Sequence, residues 1–253
     1  MFKKYILIVY ICLQILLFYV PLYAGDITGL QGAWLLDEES GVRVDQTANN
    51  NDLTDNNTVL FATGQFGNAA DFESANSEYL SITDGAQTGL DMTSSYTATF
   101  WTKVETLYGD QTFVTKTTAS LNDGYSLRTQ ASGLLELINA SGASSTTPAG
   151  VITAGTWYHI AFVFDTVNNL AIFYVDGTVV DTNSYATDPT NNTGEFRIGA
   201  SVNGSHYFDG LIDEAAVFSR VLDVTEINDI KNNGLVSFIQ GEAVSRKNVI
   251  VIT

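Results

Sequence analysis

The sequence predicts an all-β fold: a two-sheet antiparallel β-sandwich (jelly roll) with one short C-terminal helix, preceded by a signal peptide. Apolar and polar residues alternate with a period of two in many short runs. Glycine, asparagine and serine clusters separate these runs, and a single late segment has helical periodicity. Many short strands with polar turns are typical of a sandwich or jelly roll.

The first 24 residues have the pattern of an export signal. Lys3 and Lys4 precede an almost unbroken apolar run, and Ala24 offers a small residue at a cleavage point. Because this order is that of a secretory signal peptide, we expect residues 1–24 to be removed and the protein to be secreted, surface-exposed or periplasmic. The alternative is an uncleaved membrane anchor, since residues 5–23 are long enough to cross a bilayer.

Size and charge limit the possible partners. The chain of 253 residues has 11 lysines and arginines against 28 aspartates and glutamates, a formal net charge of −17 that becomes −19 without Lys3 and Lys4. Such a charge disfavours nucleic acid and anionic lipid as partners. The single cysteine, Cys12, lies in the predicted leader, so the exported domain is expected to fold without a disulfide.

The predicted strands follow each other closely along the chain. They are residues 32–36, 70–72, 79–83, 97–104, 112–116, 125–129, 134–138, 157–164, 171–175, 178–181, 196–199 and 211–218. The run 157–164 is apolar on both faces and is therefore expected at the centre of its sheet. Trp34, Trp101 and Trp157 are expected in the interior.

One helix is predicted after the last strand. Asp223 and Glu226, three residues apart, form a capping-box pattern at its start, and Gly234 is expected to end it. The predicted domain therefore covers residues 25–235. The C-terminal tail, residues 236–253, is predicted to add one more strand, and the alternative is an exposed edge used in self-association.

Several stretches, in order, resemble one family. They are residues 33–38 with 40–41, Asp45 with 47–52, 66–72, 78–82, 96–101, 157–165, 174–177, 196–199, 208–214 and 219–222. They resemble the laminin-G-like domains of the concanavalin A-like lectin and glucanase group, to which pentraxins are related. The resemblance covers about residues 30–235 and implies two antiparallel sheets in a curved sandwich. It implies no definite ligand, because a fold does not determine a function.

A structural calcium ion is predicted at one polar loop. Asp45, Asn49 and Asn51 supply the oxygen donors that Ca²⁺ prefers. The resemblance implies calcium held by acidic residues from the early loop and the late strand, and Asp45 and Asp213 match those places. The alternative is that this loop is merely rich in turns and that Asp213 only makes hydrogen bonds within the sheet.

A carbohydrate-binding surface would require aromatic platforms and polar groups near one another. The candidates are Tyr108, Tyr125, Arg128, His206 and Tyr207. The sequence therefore predicts a secreted or surface, non-catalytic binding module for a glycan. The alternative is an extracellular adhesion or structural protein that binds protein or self-assembles through its C-terminal strand.

A glycoside hydrolase is the least favoured function. Retaining hydrolysis requires two carboxyl groups about 5 Å apart on one side of a cleft. Asp213 and Glu214 are adjacent on a predicted strand and are expected to face opposite sides of the sheet. No enzymatic activity is therefore expected.

Overall fold

A computed structural model describes residues 25–121, 123–139, 144–185 and 187–247, with side chains up to residue 241. Within these ranges the chain forms two antiparallel sheets, a short 3₁₀ turn and one kinked helix. The elements are β1 (Leu30–Trp34), β2 (Thr54–Asn56), β3 (Leu60–Thr63), β4 (Asn68–Phe72), β5 (Tyr79–Ile82), β6 (Tyr96–Val104), β7 (Gln111–Lys116), β8 (Tyr125–Thr129), β9 (Leu135–Asn139), β10 (Ser144–Thr146), β11 (Trp157–Asp165), β12 (Leu170–Val175), β13 (Thr178–Ser184), β14 (Phe196–Ile198), β15 (Gly210–Phe218) and α1 (Val224–Lys247).

The strands form a sandwich of two sheets, so the predicted fold class is confirmed. The eight-stranded sheet has the order β13-β12-β11-β6-β15-β4-β3, with β1 also paired to β15. The seven-stranded sheet has the order β10-β9-β8-β7-β14-β5-β2. All the predicted strands are present. The sequence analysis missed β2, β3 and β10, which are three or four residues long and mostly exposed.

Strand β11 lies between β12 and β6, as its two apolar faces predict. Ile160 and Phe162 contribute to the main core, which fills the space between the sheets. Ala161 and Val163 point the other way, into a second core formed with the helix. Burial on both faces explains why this strand has no polar side.

Trp34 joins the two sheets. Its side chain on β1 is fully buried, stacks on Phe196 of β14 with ring centroids 5.0 Å apart, and donates from Nε1 to the Asn51 carbonyl at 2.8 Å. Trp101 and Trp157 are only partly buried, which corrects the expectation that all three tryptophans lie inside. Their strand positions place them on the outer face of the eight-stranded sheet, on the side of His159.

The capping box of the predicted helix is confirmed. Asp223 Oδ1 accepts from the backbone N–H groups of Thr225 and Glu226 at 2.7 and 2.9 Å, and the Asp223 N–H donates to Glu226 Oε2 at 2.9 Å. These bonds use N–H groups that have no partner within the first turn of a helix.

The tail does not form a strand as far as it is described. Gly234 has φ +76°, which interrupts α1, but the helix resumes and continues to Lys247. The Leu235 N–H donates to the Glu214 carboxylate, and Leu235 and Phe238 are fully buried in the second core. The predicted strand is therefore wrong for residues 236–247, and the folded unit continues past the predicted boundary at residue 235.

Two predictions concern residues outside the described ranges. The signal peptide at residues 1–24 and the apolar end at residues 249–252 both stay predictions. In the described part of the chain, no helix is long and apolar enough to span a membrane.

Candidate functional site

The outer face of the seven-stranded sheet carries long polar side chains. Phe196 and Ile198 of β14 point into the main core, so Arg197 between them points outward. By the same alternation Arg128 of β8 and Glu136 of β9, which pair with each other, also lie on the outer face. The outer face of this sheet thus carries two guanidinium groups, on β8 and β14, with β7 between them.

One tyrosine ring packs on Arg197, and a second lies close to the first. The guanidinium carbon of Arg197 lies 4.4 Å from the centre of the Tyr79 ring, close enough for a cation–π interaction. The Tyr79 and Tyr207 ring centroids are 6.4 Å apart. Tyr108, which is 38% exposed, donates its hydroxyl to the Tyr207 carbonyl at 2.6 Å. The rings of Tyr79 on β5 and Tyr207 in the loop before β15 therefore lie close together at one end of the face, and the Tyr108 hydroxyl is bound to the same loop.

Arg128 extends this surface with charged contacts. Its Nε lies 2.7 Å from Glu136 Oε2 and its Nη1 lies 3.0 Å from Asp110 Oδ2. His206 Nε2 lies 3.9 Å from the same Asp110 oxygen. The Thr112 N–H donates to the His206 carbonyl at 2.9 Å, which fixes the loop before β15 against β7.

Six side chains make up what we call the tyrosine–arginine cluster, in two groups of contacts that the adjacent residues His206 and Tyr207 connect along the chain. They are Tyr79, Tyr108, Arg128, Arg197, His206 and Tyr207. The structure thus brings together four of the five side chains predicted to bind a ligand. Sequence analysis missed Tyr79 and Arg197, although both occupy outward positions in predicted strands.

Tyr125 is the exception and requires a correction. Its side chain is 0% exposed, its ring lies 5.0 Å from that of Tyr96, and its hydroxyl donates to the Leu90 carbonyl at 3.2 Å. On β8 it shares the inward face with Leu127. Burial also raises the pKa of its phenol. A side chain in the main core cannot serve as a surface platform.

The cluster combines the groups that hold a hydroxyl-rich ligand. Partial burial raises the pKa of Tyr108, so its phenol stays protonated at neutral pH. Exposed aromatic surface packs on the apolar face of a ligand, while guanidinium, phenol and carboxylate groups offer donors and acceptors. A few polar groups positioned by strands around aromatic surface are typical of a small-molecule site.

Asp45, at the predicted calcium site, already has protein partners for both carboxylate oxygens. Oδ1 accepts from the Ala33 and Thr47 N–H groups at 2.9 and 3.0 Å. Oδ2 accepts from the Thr47 hydroxyl at 2.7 Å and the Asn51 N–H at 2.8 Å. These bonds use the acceptor positions that a cation would need.

The neighbouring asparagines are also committed. Asn49 and Asn51 each donate from Nδ2 to the Gln31 carbonyl at 2.9 Å, and Asn51 Oδ1 accepts from the Thr88 N–H at 2.7 Å. The described residues contain no group of three or more histidine, cysteine, aspartate or glutamate side chains able to hold a metal ion. As arranged, these side chains do not fit Ca²⁺, and calcium binding stays a prediction.

Asp213, the fourth predicted calcium ligand, lies elsewhere. Its Oδ2 accepts from the Gln65 and Phe66 N–H groups at 2.7 and 3.0 Å. After burial, the charge of the Asp37 carboxylate also raises the pKa of Asp213. Asp37 accepts from the Asn68 N–H at 2.8 Å, in the same turn as Gln65 and Phe66. The described contacts thus associate Asp213 with Asp37 rather than with Asp45.

Asp213 and Glu214 are not arranged for hydrolysis. A bulge in β15, with φ +55° at Glu214, brings both carboxylates to the helix side of the sheet, which corrects the expectation of opposite faces. They are 0% and 2% exposed, and burial raises the pKa of Asp213 to about 7 and that of Glu214 to about 8. Burial beneath α1 leaves these acids no access to a polysaccharide.

A separate open depression of about 530 Å³ lies between the loops that contain Ser95, Asn168 and Val221. The Asp165 carboxylate at its wall accepts from the Val167 and Asn168 N–H groups and from Asn168 Nδ2. The Asp165 carboxylate is thus engaged within its own loop. The residues that line the depression are separate from those of the tyrosine–arginine cluster.

Solved structures with the same fold include sugar-binding domains. One is domain 4 of AbnA, an extracellular GH43 arabinanase from Geobacillus stearothermophilus, in complex with arabinotriose: 22% identity, TM-score 0.62, 80% of this chain and 98% of that one. Another is the binding domain of botulinum neurotoxin DC in complex with SialylT, at 12% identity, TM-score 0.62, 81% of this chain and 51% of that one.

The binding domain of Paraclostridial Mosquitocidal Protein 1 is also similar, at 14% identity and TM-score 0.63, with 81% of this chain and 52% of that one covered. The chain thus spans about half the length of both toxin domains. At these identities the likeness establishes the fold alone.

Sequence comparison identifies the family. No curated protein sequence matches the chain. A laminin G profile matches residues 74–228, which is more than half of the chain. The matched segment runs from the turn before β5 into α1 and so includes most strands of both sheets. The chain belongs to the concanavalin A-like lectin/glucanases superfamily.

Proposed function

We propose that the protein is an exported, non-catalytic module that binds carbohydrate through the tyrosine–arginine cluster. The observation that carries this proposal is the position of two groups of contacts side by side: Tyr79 with Tyr207, and Asp110 with Arg128 and with His206, the residue before Tyr207. Aromatic surface and hydrogen-bonding groups meet there on strands and on loops fixed to them, as binding of a sugar ring requires.

The acidic groups of the molecule support a binding role rather than catalysis. Glu136 and Asp110 are paired with Arg128, and Glu195 is paired with Arg197. Each of these three carboxylates is thus engaged in an ion pair with an arginine. Asp213 and Glu214, whose pKa values are raised, are enclosed between the sheet and α1.

Tyr207→Ala gives the sharpest test. The Tyr207 side chain meets Tyr79, but the hydrogen bond from Tyr108 uses the Tyr207 backbone carbonyl and survives truncation. We expect the variant to fold normally and to lose about tenfold or more in affinity for the glycan that the native protein selects on an array. Val179→Ala, exposed on β13 of the other sheet, is the matched control and should bind like the native protein.

Binding is measured by titration calorimetry, with the melting temperature as the check on folding. Equal affinity of Tyr207→Ala and native protein would contradict the site. Release of new reducing ends from the bound polysaccharide would contradict the non-catalytic assignment.

A further inference from the structure

The charges around the tyrosine–arginine cluster bear on which glycans it accepts. Each of the three guanidinium nitrogens of Arg197 already has a protein partner. Its Nε and Nη2 both lie 2.9 Å from Glu195 Oε2, and its Nη1 donates to the Ser201 carbonyl at 3.0 Å. One face of its plane covers Tyr79. A carboxylate on a ligand would have to displace Glu195 to reach this arginine.

Arg128 is committed in the same way. Its Nε and Nη1 lie within 3.0 Å of Glu136 and Asp110. Glu136 is only 5% exposed and also accepts from Gln130 Nε2 at 2.9 Å, so it is held in place on the sheet. Two of the three guanidinium nitrogens of Arg128 are therefore already paired with carboxylates.

The local charge balance is negative. Three carboxylates, those of Asp110, Glu136 and Glu195, face two arginines. Among the other basic side chains that the structure describes, Arg43 and Lys116 are buried, and Lys103, Arg220 and Lys231 belong to β6, the segment after β15 and α1. With a net charge of −17 on the whole chain, no surplus positive charge compensates an anionic ligand at the cluster.

We infer that the cluster selects neutral glycans and discriminates against acidic ones, an inference that rests on the proposed function. Asp110 and Glu195 are 30% and 35% exposed and accept hydrogen bonds from sugar hydroxyls. The same carboxylates repel the carboxylate of a uronic or sialic acid. Placing like charges opposite each other is how binding sites reject wrong partners.

The test uses two pairs of glycans, each with an acidic and a neutral member. Polygalacturonate and its methyl ester differ at the carboxyl group, whereas sialylated and desialylated oligosaccharides differ by the whole acidic sugar. For each pair that binds, we expect the protein's affinity for the neutral member to be about tenfold higher at low salt. The difference in affinity should be smaller at high salt because ions screen the repulsion. Glu195→Gln removes the carboxylate that pairs with Arg197. This variant should bind the acidic member more tightly and so reduce the difference in affinity between the two members.

The outcomes separate the two proposals. Equal or tighter binding of the acidic members would overturn the inference and leave carbohydrate binding intact. Absence of binding to these pairs and to a broad glycan array would overturn both. The inference would also be overturned if Glu195→Gln had the melting temperature of the native protein and the same preference for neutral glycans.

Discussion

Lys116 places a buried positive charge at the rim of the main core, where it joins three parts of the chain. Its side chain on β7 is 0% exposed, and Nζ lies 2.9 Å from Asp84 Oδ1 and 2.9 Å from Asp91 Oδ1. Nζ also donates to the backbone and side-chain oxygens of Asn192 at 3.2 and 3.3 Å. The lysine therefore ties β7 to the loop after β5 and to the loop before β14.

Lys116→Met retains most of the aliphatic chain and removes the charge, which leaves two carboxylates close together without a cation. Removing one partner of a buried ion pair costs about 3–5 kcal/mol. Asp84 and Asp91 are 33% and 17% exposed, so water compensates part of this loss. We therefore expect unfolding to become easier by about 3 kcal/mol and the melting temperature to fall by roughly 6–12 °C.

Urea unfolding followed by tryptophan fluorescence and circular dichroism measures the change. The control combines Lys116→Met with Asp84→Asn and Asp91→Asn, which removes the repulsion and should recover most of the lost stability. The reasoning is refuted if Lys116→Met costs less than about 1 kcal/mol, or if the triple variant is no more stable than the single one.

Three further predictions concern other parts of the fold. Burial lowers the pKa of His159 to about 3. Since unfolded histidine titrates near pH 6.5, the unfolded state binds a proton that the native state excludes, and acid should favour unfolding. In urea titrations between pH 7 and pH 5, the free energy of unfolding should therefore fall by roughly 2 kcal/mol more for native protein than for His159→Gln. Asp45→Asn replaces one of the two oxygens that together accept four hydrogen bonds, and should cost about 1–3 kcal/mol of unfolding free energy, by the same amount in calcium and in EDTA. A melting temperature that calcium raises in native protein alone would support the predicted metal site. Asp223→Ala should cost about 1 kcal/mol in thermal melting, and an unchanged midpoint would contradict the role of the capping box.

The strands were predictable wherever burial selected apolar side chains, on one face of the strand or on both. Tyr96–Val104, Trp157–Asp165 and Gly210–Phe218 are long, with side chains that fill the main core. Edge strands gave no such signal. The three residues of β2 and of β10 are polar and largely exposed, so nothing in their composition separates them from turns.

The C-terminal helix shows how a distant contact overrides a local signal. Gly234 does break α1, as a glycine after an apolar stripe predicts. The chain then restarts a helix because Glu214 accepts the Leu235 N–H, a bond between residues 21 positions apart. A negative group at a helix start is favourable, but the sequence does not reveal that β15 supplies it.

The candidate site was predictable in its residue types but not in its completeness. Tyr108, His206 and Tyr207 stood out as polar aromatic residues near turns. Tyr125 is the wrong prediction: it lies two residues from inward-facing Leu127 on β8, and side chains two residues apart on a strand share one face. Arg197 was overlooked because its partner Tyr79 belongs to another strand, and such pairs become visible only in the folded structure.

The fold and the proposed binding site depend on separate sets of residues in this molecule. The main core is built from inward side chains such as Phe100 and Phe162, while the tyrosine–arginine cluster uses outward positions on the same sheet system and the loops beside β7. The loop before β15 is held by backbone bonds, for example from the Thr112 N–H to the His206 carbonyl, so its side chains can change without unfolding the sandwich. This separation explains how proteins at 12–22% identity keep the fold, since fold and ligand are specified independently. Loss of glycan binding with an unchanged melting temperature is therefore the result that identifies a residue of the site.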